Sequence, residues 1–247
     1  MILTLCSQIS LVAQEKAAST PQAGVSVPFV RCKSGGQQGP QEAPTSKSIP
    51  VPINFGAAQK VAYYSASGRH DGVLAPRGWY CFGTYGSGGD TVMVSPQPID
   101  TANLFLANWG GFTGAAIELS LRYGGTSGRF SVAEIIARVF PAYKAFATQV
   151  MKEGLDAPFQ FGPYPKDFLT YESNRVVEYK TPAQTEGLGT YHSSLKKNGS
   201  PIDGVVMLVG ETPDMLLLSV RLPPELTGLT SVIVHQVERD AERNGRP

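Results

Sequence analysis

Two cysteines in glycine-rich surroundings place the strongest constraint on the fold of this 247-residue chain. Cys32 lies in VRCKSGGQQG and Cys81 in GWYCFGTYGSGG, whereas the third cysteine, Cys6, belongs to an apolar N-terminal stretch. If that stretch is an export signal, the two remaining cysteines reach an oxidising compartment, where pairing is expected. The sequence therefore predicts a disulfide between Cys32 and Cys81, with alpha carbons roughly 4.4–6.8 Å apart. The alternatives are a bond from Cys32 to a partner chain and a reduced pair in a cytosolic protein.

The N-terminal segment, residues 1–19, resembles the apolar part of an export signal. MILTLCSQISLVAQ is largely apolar, and Ala17-Ala18-Ser19 offers a small-residue cleavage site after Ser19. The basic residues that usually begin such a signal are missing, since the first basic residue is Lys16. A polar stretch rich in Pro and Gln follows, which favours export to the periplasm or the exterior. An ordinary apolar strand or helix of a cytosolic protein is the alternative.

The composition of the chain excludes some classes of binding partner. Hydrophobic residues make up 42% of the chain and charged residues 17%, which is enough apolar material for a core. Lys and Arg total 21 and Asp and Glu total 20, so no basic excess points to nucleic acid. No internal stretch reaches the roughly 18 apolar residues of a membrane span. A protein or a component of the cell envelope remains as the expected partner.

The chain divides into an arm and a domain after the signal. Residues 20–52 are rich in Gln, Ser, Gly and Pro, which is typical of a flexible or extended arm. Within the arm, VSVPFVRC could add a strand that Pro28 keeps at a sheet edge. Residues 53–247 are predicted to form a single globular domain. At its start, Asn54 is expected to cap a helix over FGAAQKVAYYSA.

The remaining pattern predicts strand pairs with helices inserted between them. WYCFGTY and TVMVSP form a predicted hairpin, and AAIELSLRY, NRVVEYKTP, DGVVMLVG and DMLLLSVRLP are further predicted strands. Because strands and helices do not alternate regularly, we expect an α+β fold: a mainly antiparallel sheet with helices packed on it, preceded by the extended arm.

Two helices are expected on this sheet. Ser131-Val132-Ala133-Glu134 matches a capping box, which predicts that Ser131 caps a helix. The stripe of that helix, formed by Ile135, Ile136, Val139 and Phe146, would pack on the sheet, and Pro141 would kink the helix or start a second one. A last helix is predicted from about Thr230 to Arg243, with Ile233, Val234 and Val237 turned inward.

The order of these segments resembles the PsbP-like fold. The resemblance rests on Pro76-x-Gly78-Trp79 in LAPRGWYCFGTYGSGGDTVMVSP, on the following GVVMLVGETPDMLLLSVRLP, and on the terminal helix. It covers about two thirds of the chain. The fold occurs in photosystem II extrinsic subunits and in many exported bacterial proteins. Most proteins with this fold act as binding or scaffold proteins. The resemblance therefore implies a sheet with helices on it and a binding or scaffold function, and it implies no functional residue.

One glycine-rich loop invites comparison with serine hydrolases. Ser87 lies in Gly86-Ser87-Gly88-Gly89-Asp90, and His70-Asp71 nearby could supply a base and the group that orients it. A nucleophile elbow needs glycine two residues before the serine, but Tyr85 occupies that position. The pattern therefore fails, and a hairpin turn with an incidental serine is the simpler interpretation.

A second loop, at residues 124–129, precedes the capped helix and could bind a small anion. Gly125, Thr126 and Ser127 would offer backbone N–H groups at the helix start, and Arg129 would add positive charge. The alternative is an ordinary turn between a strand and a helix.

Metal and cofactor sites are not predicted. The three histidines are far apart in sequence, and no CxxC or HExxH element is present. Two features could contribute to a binding surface instead, namely exposed aromatic side chains and the proline-rich segment GPYPKDFLTYE. The leading interpretation is an exported, non-enzymatic domain that binds a protein or an envelope component. The alternatives are a hydrolase that uses Ser87 and His70, and an anion-binding protein.

Overall fold

Twelve strands form two sheets in the part of the chain described by the structure, a computed structural model that covers residues 24–67, 72–106, 108–153 and 159–244. The strands are β1 (Val25–Arg31), β2 (Ser34–Gly36), β3 (Ser48–Val51), β4 (Val61–Ser65), β5 (Val73–Pro76), β6 (Tyr80–Gly86), β7 (Gly89–Ser95), β8 (Ala116–Arg122), β9 (Phe168–Tyr171), β10 (Val176–Thr181), β11 (Ile202–Val209) and β12 (Asp214–Arg221). The helices are α1 (Phe55–Ala58), α2 (Arg129–Val139), α3 (Lys144–Met151), α4 (Leu188–Tyr191) and α5 (Thr230–Arg243). The predicted export signal lies outside these residues.

The larger sheet has eight strands in the order β2-β6-β7-β8-β12-β11-β10-β9, and only the short β2 pairs in parallel. The predicted α+β class with a mainly antiparallel sheet is therefore confirmed. The apolar runs of β11 and β12 lie in its inner part, where both faces of the sheet are covered. Such strands are apolar at nearly every position, because neither face is exposed to water.

Two cores lie on opposite faces of this sheet. On one face, the smaller sheet and α5 pack against alternate residues of β7, β8, β11 and β12. On the other face, α2, α3 and α4 pack against the intervening residues. The alternation is visible in β12, where Leu216 and Leu218 belong to the first core and Met215 and Leu217 to the second. Among the described residues, no helix is both long and apolar enough to cross a membrane.

The smaller sheet has the order β3-β1-β4-β5, so β1 is an internal strand. The prediction that Pro28 keeps this segment at an edge is wrong. β1 pairs with β3 through Val25–Pro28 and with β4 from Phe29 onward, so Pro28 stands where one partner replaces the other. The N–H of Phe29 donates toward β3, to the carbonyl of Lys47 at 3.1 Å. Successive N–H groups of a strand point to opposite sides, so the N–H that Pro28 lacks would point away from β3. No hydrogen bond to β4 is lost there, because pairing with β4 begins only at Phe29.

The predicted disulfide between Cys32 and Cys81 is confirmed, with alpha carbons 5.3 Å apart. Cys32 follows β1 directly and is fully buried, and Cys81 lies in β6. The N–H of Cys32 also donates to the carbonyl of Ser65 at the end of β4, at 2.9 Å. The bond therefore joins the smaller sheet to the larger one near the start of the described chain.

The segment after Asn54 is helical for only one turn. The Asn54 side chain accepts a hydrogen bond from the N–H of Ala57 at 2.8 Å, which confirms the predicted cap. The helix ends at Ala58, however, and Val61–Ser65 forms β4 in place of the expected helical continuation. β4 is buried at every position between β1 and β5, and pairing on both sides outweighs local helical preference.

The capping prediction for Ser131 is wrong, because α2 begins two residues earlier. The residue before the helix is Gly128, without a side-chain cap, and Ser131 is an exposed residue inside the first turn. Gly128 packs so closely against the turn after β6 that a Cβ there would lie 2.1 Å from the carbonyl oxygen of Gly88. This approach positions the helix start, and only glycine fits there.

The apolar stripe of this helix is nevertheless placed as expected. Ile135, Ile136 and Val139 are buried in the second core, and Phe146 of α3 packs against that core. A 3₁₀ turn at Pro141–Tyr143 separates α2 from α3, so the proline begins a second helical segment. The terminal helix runs from Thr230 to Arg243, as predicted.

Candidate functional site

The two glycine loops selected from the sequence lie side by side. The hydroxyl oxygens of Ser87 and Ser127 are 3.2 Å apart, and the N–H of Tyr123 donates to the carbonyl of Gly88 at 3.1 Å. The turn between β6 and β7 and the loop before α2 therefore form one continuous surface. Sequence separation alone did not indicate that these two candidates would be neighbours.

The surroundings of Ser87 offer no activating group among the described residues. Its hydroxyl contacts another serine, and its backbone N–H donates to the side-chain oxygen of Gln37 at 3.1 Å. A serine hydroxyl cannot act as a general base near neutral pH, so this contact does not create a nucleophile. His70 and Asp71 lie outside the described residues, and their proposed roles stay predictions.

The loop at residues 124–129 offers less positive charge than its sequence indicates. The guanidinium of Arg129 binds Glu153 through Nε at 2.8 Å and Nη2 at 2.7 Å, and donates from Nη1 to the carbonyl of Thr126. The N–H of Gly124 donates to Asp214 at 2.8 Å. Asp214 and Asp90 also line the adjacent cleft of about 610 Å³. Two carboxylates beside the loop oppose the binding of an anion.

A different cleft has the features of a recognition site. It lies between α2, the loop that follows residue 158, and α4, and its volume is about 730 Å³. Aromatic and charged side chains share its lining, which includes Phe130, Glu134, Arg138, Phe159, Gln160, Tyr164, Glu186 and Tyr191. Clefts that combine aromatic walls with a few polar groups are the usual form of a binding site. We call this the aromatic cleft.

A stack of three side chains organises the aromatic cleft. The guanidinium carbon of Arg138 lies 4.3 Å from the ring centre of Tyr164. The ring of Tyr191 stacks on Tyr164 with centres 5.3 Å apart and planes inclined by 17°. Arg138 is held in turn by hydrogen bonds to the side-chain oxygen of Gln160 at 2.9 Å and to the carbonyl of Gly162. Tyr164 is buried, whereas 58% of Tyr191 is exposed.

His192 fixes the inner end of this stack. Its Nε2 lies 2.8 Å from the hydroxyl oxygen of Tyr164. Burial, together with the charge of Arg138, lowers the pKa of His192 to about 4, and burial raises the pKa of Tyr164 to about 12. Both groups are therefore neutral at pH 7, and their contact holds the ring of Tyr164 in place.

Not all of the aromatic side chains expected at a binding surface are exposed. Tyr63 and Tyr64 are buried in the first core, and the hydroxyl of Tyr64 donates to the carbonyl of Pro76 at 2.7 Å. Sequence analysis did not select Arg138, Tyr191 or His192 as site residues. The one sequence feature that pointed to this cleft was Tyr164, which lies between two prolines in the possible binding segment GPYPKDFLTYE.

A groove of about 490 Å³ lies on the opposite face of the larger sheet, between its outer strands and the start of α5. Lys180 and Asp203 form an ion pair at 3.2 Å across β10 and β11, and Glu178 faces His235 at 3.6 Å. Burial, followed by the charges of Glu178 and Glu172, raises the pKa of the adjacent Glu238 to about 7. Acidic side chains are therefore crowded at this end of the groove.

Comparison with protein families, with curated proteins and with solved structures finds no match for this chain. The resemblance to the PsbP-like fold is neither confirmed nor refuted by these comparisons and stays a prediction.

Proposed function

We propose that this chain is an exported, non-enzymatic domain that binds a segment of a partner protein in the aromatic cleft. The observation that carries this proposal is the stack of Arg138, Tyr164 and Tyr191 at the cleft surface. Tyrosine and arginine are enriched among the residues that dominate protein–protein binding energies. An apolar or prolyl side chain of the partner would pack against the outer face of Tyr191.

Preorganisation supports a binding role for this stack. Tyr191 rests on Tyr164, which is held from below by His192 and from the side by Arg138. A side chain already fixed in one orientation loses little conformational entropy when a partner docks. Tyr191 is exposed to a partner and is already held in one orientation, which favours recognition.

Export is supported by the disulfide between Cys32 and Cys81, since such bonds persist in oxidising compartments. The apolar segment at residues 1–19 supports the same proposal from the sequence. A direct test is mass spectrometry of the chain recovered from cell fractions of its source organism. We expect an oxidised chain that begins at residue 20 in the exported fraction. A reduced chain retained in the cytosol would contradict export.

Site-specific photocrosslinking tests the binding proposal. A benzophenone amino acid replaces Tyr191 in one variant and Phe55 in the control, because Phe55 is 68% exposed but lies on α1, away from the cleft. We expect a discrete adduct with one protein from position 191 and none from position 55. A glycan adduct at 191, the same adducts from both positions, or no adduct from either would contradict a protein partner.

Affinity for the crosslinked protein then tests the stack itself. Replacing Tyr191 with alanine should weaken binding by 10-fold or more, as expected for a residue that dominates an interface. Tyr171→Ala is the matched control, since 52% of Tyr171 is exposed on the edge strand β9 and it does not line the cleft. Equal affinities of the two variants would show that the stack is not part of the interface.

A further inference from the structure

Three potential metal ligands from two secondary structure elements converge beside the groove. His235 and Glu238 are three residues apart on α5, and such residues share one face of a helix. Glu178 lies on β10 between Val177 and Tyr179, whose side chains enter the second core. Because side chains alternate along a strand, Glu178 points to the other face, toward α5.

The distances within this group fit a small coordination sphere. Oε1 of Glu178 and Nε2 of His235 are 3.6 Å apart, and one ligand atom from each of the three residues lies within 4.8 Å of the others. Two donors that are each about 2.1 Å from a tetrahedral zinc ion are about 3.4 Å apart.

One carboxylate oxygen of the group lacks a partner. Oε1 of Glu238 is buried and has no hydrogen-bond donor among the described residues. A buried acceptor left unsatisfied is costly, more so when it is charged. Two further carboxylates, Glu172 and Glu242, also act electrostatically on Glu238. A cation placed between the three side chains would offset this negative charge.

We propose that Glu178, His235 and Glu238 form a binding site for a divalent transition-metal cation, with Zn²⁺ the best match. Imidazole nitrogen is a preferred ligand of zinc, copper and nickel, whereas carboxylates alone favour magnesium, calcium and manganese. One nitrogen and two oxygens match the borderline character of zinc, which often keeps a water molecule at its fourth position. The groove, which Glu178 and His235 also line, gives solvent access to that position.

The bound cation would join α5 to β10 beside the groove. It lies on the α5 face of the larger sheet, whereas the aromatic cleft is built on the α2 face. Failure of one site therefore leaves the other intact, and the two proposals are tested separately.

Zinc titration of the purified, metal-stripped chain against a chromophoric chelator tests the site. We expect one equivalent of Zn²⁺ to bind, and both His235→Gln and Glu238→Gln to lower the association constant by roughly 100-fold or more. Glu225→Gln is the matched control, because Glu225 is an exposed carboxylate before the start of α5 and lies outside the set of three ligands. It should retain affinity within roughly threefold of the unmodified chain.

Thermal unfolding provides a second readout that does not depend on the chelator. Added Zn²⁺ should raise the unfolding midpoint of the unmodified chain and of Glu225→Gln, because a ligand that binds only the folded state stabilises it. The midpoint of His235→Gln should not respond. Absence of zinc binding by the unmodified chain, or equal binding by all four proteins, would overturn the proposal.

Discussion

Tyr179 lies over Gly204 on the neighbouring strand, and the two residues are directly paired across β10 and β11. A Cβ at position 204 would lie 2.8 Å from the tyrosine ring and 1.9 Å from the carbonyl oxygen of Leu218. The hydroxyl of Tyr179 continues across the sheet, donating to Leu218 at 3.1 Å and contacting Ser219 Oγ at 2.6 Å. One side chain thus spans three adjacent strands over a glycine that leaves room for it.

Gly204→Ala should destabilise the chain by about 2–4 kcal/mol, because the added methyl group forces apart a packed ring and a neighbouring backbone. Urea unfolding monitored by tyrosine and tryptophan fluorescence measures the loss. Gly199→Ala is the control, since a Cβ at position 199 meets no atom within 4 Å. A stability for Gly204→Ala equal to that of the control would contradict the packing described for Tyr179.

Removal of the disulfide should cost about 4 kcal/mol, the chain-entropy expectation for a loop of this size. The bond encloses a sequence separation of 49 residues between Cys32 and Cys81. Unfolding of the Cys32→Ala/Cys81→Ala double variant, with and without reductant, measures this contribution. The unmodified chain should lose stability on reduction, whereas the double variant should not respond to reductant. Equal responses of the two proteins would argue against the bond as the source of the stability.

His192 should make the chain less stable as the pH falls. Its folded-state pKa of about 4 lies below the ordinary value of 6.5, so the unfolded chain binds the proton first. The stability supplied by a neutral His192 is therefore present above about pH 6.5 and is lost as the pH falls toward 4. Between pH 7 and pH 5, His192→Gln should lose about 1–2 kcal/mol less than the unmodified chain.

Urea unfolding at the two pH values measures that difference. Tyr164→Phe serves as the control, because it removes the hydrogen bond to His192 and keeps the imidazole ring. It should retain the stronger pH dependence of the unmodified chain. An identical pH dependence in His192→Gln would show that another group is responsible.

Ser87→Ala should change the free energy of unfolding by less than about 0.5 kcal/mol, because the hydrogen-bond contact of its hydroxyl within the described part of the chain is with Ser127 at an exposed turn. A fluorophosphonate probe should not label position 87, and binding of the partner protein should be unaffected. Labelling of Ser87 that disappears in His70→Ala would instead establish the hydrolase alternative.

Ser131→Ala should leave the stability unchanged or raise it by about 0.5 kcal/mol. Ser131 is exposed within the first turn of α2 and makes no capping hydrogen bond, and alanine has the higher helix propensity. Asn54→Ala is the comparison, since that residue does cap a helix and its loss should cost about 1 kcal/mol. Chemical unfolding of both variants distinguishes the two positions. A loss of about 1 kcal/mol for Ser131→Ala would contradict the observed helix start.

Much of the fold could be predicted, because local signals and tertiary packing agree in its central part. The runs that became β11 and β12 are apolar and bounded by turn residues, and the terminal helix Thr230–Arg243 shows a clear amphipathic pattern. Local signals failed where long-range pairing decides the conformation. Val61–Ser65 became a strand because β1 and β5 lie on either side of it, which no local pattern indicates.

The candidate sites were harder to predict because their residues come from distant segments. Arg138, Tyr164 and Tyr191 belong to α2, a loop and α4, and their contact depends on how these pack on the larger sheet. The pairing of Glu178 with His235 likewise joins a strand to the terminal helix. Spacing along the sequence cannot reveal such contacts, whereas the two cysteines could be paired because few partners were available.

The position of the disulfide also determines how the chain would carry mechanical tension. A pull on the segment before β1 reaches Cys32 and then crosses directly to Cys81 in β6. The covalent path thus bypasses the segment between them, which contains β2 to β5. A chain pulled out past β1 would therefore be shorter by the length of that segment, about 170 Å for 49 residues, until a reductant opened the bond. Force that arrives through β1 therefore acts on its pairing with β3 and β4, whereas the chain of the other three strands of the smaller sheet lies outside the covalent path.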